Sequence, residues 1–320
     1  MMRTKLFAAV LAMASVAGVG ACTHDAGTTG GTTTPQPPAA AKWNGDDLSI
    51  VPKAWAIVAG IDWQRIHSSD LFNAFAAPKI EKVPELAMLR STCGFDPLAT
   101  VTSATLAVSQ LQGDGDGELI IHGMPKAKVL ACLPQVVAKL PPELKLAQQG
   151  DTWVAGTGSK SVALRFLTDD VALLAFGTVA TSPGIDGLLQ ASGGAVTSSA
   201  GFTELHGKIN TKAAVWFIAN LGAKPMPEMQ GAQLAYGSLD VSDSASVDVR
   251  MRFDAEANAQ AFASMAKAQG AQVAAMMFDK FDVVADGKEV AVSVAASRAK
   301  LATVMMMMGG GGGGGPSPTP

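Results

Sequence analysis

The chain has 320 residues, with 24 Lys and Arg against 27 Asp and Glu, for a formal charge of −3. No basic run stands out, so the electrostatic footprint that nucleic-acid binding needs is absent from the sequence. Apolar residues make up 48% and charged residues 16%, which excludes a chain disordered throughout and fits a globular protein with a plain surface.

The first element is an export signal. Arg3 and Lys5 precede the uncharged stretch 6–21, "LFAAVLAMASVAGVGA". That stretch is shorter than the about 20 residues a membrane-spanning helix needs. A basic start, an apolar middle and a small-residue end predict a signal peptide over 1–21. Its last residues and the next, Val19, Gly20, Ala21 and Cys22, resemble the lipobox of bacterial lipoproteins position by position. The resemblance implies cleavage before Cys22 and lipidation of that thiol. A single acyl chain such as palmitate holds a protein only marginally, whereas two or three make attachment practically permanent. The expectation is a protein of the bacterial cell envelope, lipid-anchored at the outer membrane, with no spanning helix. Cleavage removes Arg3 and Lys5 and takes the formal charge from −3 to −5.

Residues 22–47 follow as a tether. "THDAGTTGGTTTPQPPAAA" has no apolar periodicity and cannot offset its ordering entropy by burial. Its mean reach is roughly 25–30 Å. His24 is a solvated residue of this segment. The opposite end, 309–320, is a glycine run closed by "PSPTP", which does not pack. The folded body is thus 48–308, about 260 residues, enough for one large or two modest domains.

Within the body one order of elements occurs twice. Ala54–Asp62 and Ala213–Leu221 are apolar strand candidates. Each is followed by a strand–turn–strand pattern, "SATLAVSQLQGDGDGELIIHG" and "QLAYGSLDVSDSASVDVRMRF". Each then leads into a helix. The first has Val129, Leu130, Leu133, Val136, Val137 and Leu140 on one face. The second is opened by Asp254 as N-cap. A hairpin closes each copy, at Gln148–Asp151 in the first and at Ala285–Lys288 in the second, where Asp-Gly is a strong turn signal. The first copy also carries an insertion over 67–102 that predicts two helices. The second of these starts at Pro84 and stops at Cys93-Gly94. The fold class expected is α+β: two tandem domains, 48–200 and 201–308, each a mostly antiparallel sheet with helices packed on one face. In composition and element order this layout resembles uncharacterised lipoproteins of myxobacteria, a resemblance that implies no particular chemistry.

Export makes disulfides possible. With Cys22 taken by lipid, Cys93 and Cys132 remain as an even pair, predicting a bridge; the alternative is two buried thiols.

Candidate chemical motifs dissolve on inspection. Asp114, Asp116 and Glu118 alternate as in a calcium loop, but neither the following Leu119 nor the twelfth position, Pro125, fits that pattern. They read as a hairpin tip. Ala155–Ser161, "AGTGSKS", lacks the phosphate-loop spacing, because Ser159 separates Gly158 from Lys160. His24, His67, His122 and His206 are scattered, without zinc-ligand spacing. Ser68 and Ser69 sit where a helix cap is expected, and no nucleophile elbow is present. Met305–Met308 offers soft thioethers, but a continuous run on a helix points in all directions. The sequence therefore assigns no catalytic, cofactor or metal residue. It predicts a non-enzymatic lipoprotein that binds or scaffolds other envelope components, with an envelope protein as partner. The alternatives are a carrier or sensor of an apolar small ligand and, third, an envelope enzyme.

Overall fold

The structure, a computed structural model, describes residues 43–110, 115–138, 146–191, 194–222 and 229–309. The predicted lipidation site Cys22, the signal peptide, most of the tether, Asp114, Leu140 and all but the first residue of the glycine tail lie outside the described residues.

Twelve apolar-rich segments form strands: β1 Ile57–Asp62, β2 Ser103–Val108, β3 Gly117–His122, β4 Leu146–Gln149, β5 Thr152–Ala155, β6 Val162–Phe166, β7 Val171–Phe176, β8 Val215–Asn220, β9 Ala232–Val241, β10 Ser244–Phe253, β11 Lys280–Asp286 and β12 Glu289–Ser297. They lie in a single sheet of order β11-β12-β10-β9-β8-β1-β2-β3-β7-β6-β5-β4. Every neighbouring pair is antiparallel. The fold is α+β with a large antiparallel sheet.

The two copies predicted from sequence meet inside this sheet. The first strand of each, β1 and β8, pair from Ile57↔Ala219 to Ile61↔Val215. Outward from that junction the order is β1-β2-β3-β7-β6 on one side and β8-β9-β10-β12-β11 on the other. Antiparallel pairing of equivalent strands relates the halves by a rotation of roughly 180° about an axis normal to the sheet. The hairpin predicted at Gln148–Asp151 is real, turning at Gly150 (φ 61°), but it is peripheral. The counterpart of β11–β12 is the β6–β7 hairpin, which sits beside β3.

Nine helices occur among the described residues: α1 Trp63–Ser68, α2 Ala77–Ile80, α3 Pro84–Cys93, α4 Pro97–Thr100, α5 Lys126–Val137, α6 Ser182–Leu189, α7 Ala200–His206, α8 Glu256–Met277 and α9 Arg298–Gly309. The Pro84 start and the Gly94 stop of α3 are as predicted, Gly94 taking the left-handed conformation (φ 65°). The cap of α8 is not: Ala255 is its N-cap, and Asp254 instead accepts a hydrogen bond from Asn258 Nδ2 at 2.7 Å. Val83 holds the N-cap position of α3 without a side-chain bond, and Pro at its first turn lacks the orphan N–H anyway.

Strand alternation divides the core into two layers. On one face, Trp63, Phe72, Val101 and Ile121 form one cluster, and α8 covers Met251, Phe253, Val283 and Val290 with Ala259 and Ala263. On the opposite face, Ile50, Ile185 and Leu188 cover Ile120 and Leu173. Beside them Val51, Val196, Phe202 and Leu205 cover Val58, Trp216, Ile218 and Tyr236. The second face is therefore covered over the first half and the junction. Over β10 and β12 it is polar, with Arg252 bridging Glu289 and Glu204.

Cys93 of α3 and Cys132 of α5 lie at disulfide distance, their Cα atoms 4.8 Å apart across a sequence separation of 39. The bridge ties together two helices on the same layer. Intact-mass measurement should show both thiols protected from alkylation until reductant is added. On the chain-entropy account, reduction should cost about 4 kcal/mol of stability by denaturant titration. Full alkylation of both residues in the unreduced, denatured protein would exclude the bridge.

Candidate functional site

A group of polar side chains sits in the apolar layer between the sheet and the segment that enters it from the N-terminus. Its foundation is register. β2 pairs with β3 so that Ser103 faces His122, Thr105 faces Ile120 and Ala107 faces Glu118. Directly paired residues share a face, so Thr105, Glu118 and His122 all project into the layer beneath Ile50.

The fourth member comes from far away in sequence. Asn44 Oδ1 accepts from the Asp46 N–H at 2.9 Å and from Ser49 Oγ at 2.9 Å. Asp46 caps the 3-10 helix Asp47–Ser49 by accepting from the Leu48 N–H at 3.0 Å. These short bonds hold Asp47 over the sheet. Asp47 Oδ2 accepts from Thr105 Oγ1 at 2.7 Å. Both of its oxygens lie within 3.1 Å of His122 Nε2. The Trp43 ring packs 5.9 Å from the His122 ring, centroid to centroid. Trp43 to Asp47 were assigned to the tether by composition; they belong to the packed body.

Glu118 is the exceptional residue. It is 0% exposed, and neither carboxyl oxygen has a hydrogen-bond partner. Its strand neighbours are Ala107 and Ala175, which offer neither donor nor charge. Burial first, and the charge of Asp47 second, push its pKa up to about 8. Glu118 is therefore a neutral acid at physiological pH. The Nε1 atoms of Trp43 and Trp55, which pack against the same core cluster, are likewise buried without a partner. His122 shifts upward, chiefly through its hydrogen bond to Asp47 and against its own partial burial.

The arrangement is a proton-holding site. His122 and Asp47 form a hydrogen-bonded ion pair when His122 is charged, with Thr105 fixing the carboxylate. Of the motif residues weighed in the sequence, Glu118 and His122 come together here; the other described ones do not join them. Asp116 turns away from Glu118 and accepts from Thr178 N–H and Oγ1, so these two described members of the calcium-like spacing do not converge. Gly158–Lys160 is a single 3-10 turn leading into β6, with no helix for a phosphate. His67 packs against Trp63 and Phe72. His206 lies between Phe202 and Trp216, and burial lowers its pKa. Ser69 caps the turn into Phe72, as expected of a cap residue. Ser68 Oγ instead donates to the Arg65 carbonyl. Met305–Met308 are helical in α9, and their side chains lie outside what is described. Among the described residues no group of three or more His, Cys, Asp and Glu is placed to hold a metal ion.

Sequence reading missed the site because its members look ordinary singly. One signal was present: in "GELIIH", Glu118, Ile120 and His122 alternate onto one face of a strand whose other face is also apolar.

No family model matches the chain, and no curated protein matches it. Solved structures do. Crystal form III of TP0453 superposes with a TM-score of 0.51 at 10% identity, over 82% of this chain and 98% of that one. Crystal form I of the same protein gives 0.49, also at 10% identity and over the same shares. At that identity the likeness shows the fold alone.

A carboxyl raised from 4.5 to about 8 binds its proton more tightly in the folded state. Its contribution to stability is full below about pH 4.5, declines as pH rises, and is lost by about pH 8. The slope is about 1.4 kcal/mol per pH unit while only the folded state is protonated. The raised His122 acts in the same direction over a narrower range. Urea titrations at pH 5, 6.5 and 8 should show the wild type losing stability with pH, and Glu118→Gln losing markedly less. Parallel pH profiles for the two would contradict a buried, partnerless carboxyl.

Proposed function

We propose that the protein is a lipid-anchored envelope lipoprotein, tethered through Cys22, that acts by non-catalytic binding of another envelope protein. The anchoring rests on the lipobox-like sequence around Cys22. The binding reading rests on one structural observation. Ile61, Val215, Leu239, Val247 and Val294 are cross-strand partners in succession on β1, β8, β9, β10 and β12. All five are half-buried. They form an apolar row about 19 Å long at the usual strand spacing. A row of this kind across the middle of a sheet suits a partner's apolar surface.

The carrier reading draws less support. A cavity of about 320 Å³ lies where α1 meets the β9–β10 turn, and it is lined by Arg65, Ser68, Ser69, Asp70, Val241, Ser242 and Asp243. Six of the seven lining residues carry polar or charged side chains, whereas an apolar ligand calls for an apolar pocket.

Two measurements test the reading. Cys22→Ala should move the protein out of the membrane fraction or stall its processing; unchanged cleavage and retention would remove the anchor. A photo-cross-linking residue at Leu239 should capture a discrete envelope protein in cells, and one at the exposed Gln148 should not. Equal capture from both positions, or saturable turnover of a substrate lost on changing pocket residues, would overturn binding through the row.

A further inference from the structure

Glu118 is fully buried, yet nothing in the fold satisfies it. The apolar partners around it are fixed in the sheet. Over the same face Trp43–Ile50 passes as a single run of chain, with Ile50 in the cluster that holds Ile120 and Ala175. Its anchors are Asp47 on Thr105 and His122, the Trp43 ring on His122, Ile50 in the apolar cluster, and Leu48 against the cluster of Val51 and Phe202. We propose that Trp43–Ile50 is a proton-operated latch, closed over the sheet while Glu118 is protonated and released when Glu118 gives up that proton.

The reasoning is electrostatic and steric. An ionised carboxylate in a dry layer needs either a partner or water. The charged groups facing Glu118 are few. Asp47 from the 3-10 helix is negative and repels it. His122, on its own strand, is engaged by Asp47. Asp170, in the turn before β7, acts on His122. Arg165 on β6 is held by Asp186, Thr152 and Ser182. Among the described residues neither of these cations is free to swing in. The relief available is hydration, and in this proposal it is supplied by departure of the segment that carries the repelling Asp47. Departure of that segment removes the like charge and wets the carboxyl at once. Loss of the proton from His122 weakens the same contact, so both titrations open the latch as pH rises.

Opening then releases one proton from Glu118. The opening constant should rise up to tenfold per pH unit between about 5 and 8 and level off above about 8, where the closed state is ionised as well. Where the chain is anchored as proposed above, release of these eight residues adds about 26 Å of extended chain to the tether. That consequence rests on the anchoring; the latch does not.

Hydrogen exchange of the full chain tests the latch. The amides of Leu48, Ser49, Ile50 and Val51 are compared between wild type and Glu118→Gln at each pH from 5 to 9, which cancels the intrinsic pH dependence of exchange and the His122 contribution. The wild-type to variant rate ratio should climb by about 100-fold or more between pH 5 and 8 and then plateau. Amides of β2 and β3 should keep their protection, showing local opening. A ratio that stays flat with pH, or one that rises equally at β2 and β3, would overturn the proposal. Should Glu118→Gln fold poorly, Asp47→Asn supplies the second arm: removing the repelling charge should bring the plateau to a lower pH, losing the bonds to Thr105 and His122 should raise opening at pH 5, and unchanged protection at every pH would again refute the latch.

Discussion

The pairing of β1 with β8 is the contact on which the rest of the architecture depends. Each half of the sheet has an apolar first strand, and an apolar strand with an open edge is a template for association. Here each edge is closed by the other. The pairing is locked by one unusual fit: Gly60 lies opposite Trp216, and a Cβ on Gly60 would come 2.1 Å from the indole Nε1. The absence of a side chain lets the ring lie flat across the neighbouring strand. His206 then packs edge to face on that ring at 5.0 Å and carries Phe202 with it. Thus α7 is fixed over the junction, and Val51 and Val196 complete the same cluster.

From that junction the functional features follow by register. The parity that turns Gly60 toward α7 also turns Thr105, Glu118 and His122 toward the entering N-terminal segment. The opposite parity turns Ile61 and Val215 into the apolar row. One slip of a single residue would exchange the two sets. A proton-holding site on one face and a row suited to a partner on the other are thus two consequences of one strand alignment. The ionisable site shares its face with Trp43–Ile50, the first described residues of the chain.

Local signals in the sequence were reliable where the physics is local. Pro84 and Gly94 bound a helix because a first-turn proline and a left-handed glycine act within one turn. The Asp-Gly hairpin at 286–287 formed for the same reason. Asp254 misled, because Ala255 took the cap and left Asp254 to bond Asn258. Non-local features were illegible. Strands β1 and β8 are separated by most of the first half of the body, and nothing in either names its partner. Asp47 sits in "WNGDDLS", which by composition continues the tether, while its partners Thr105 and His122 are 58 and 75 residues away. Glu118 read as part of a hairpin tip because the burial that defines it exists only once β7 is alongside.

The central claim is that the two halves stand as one sheet through the Gly60–Trp216 contact. Gly60→Ala tests it most directly, with hydrogen exchange followed at β6 in one half and β12 in the other. The account predicts a loss of about 1–3 kcal/mol from overpacking, felt equally at both strands because they share one cooperative unit. Unchanged stability, or a loss confined to one half, would contradict it.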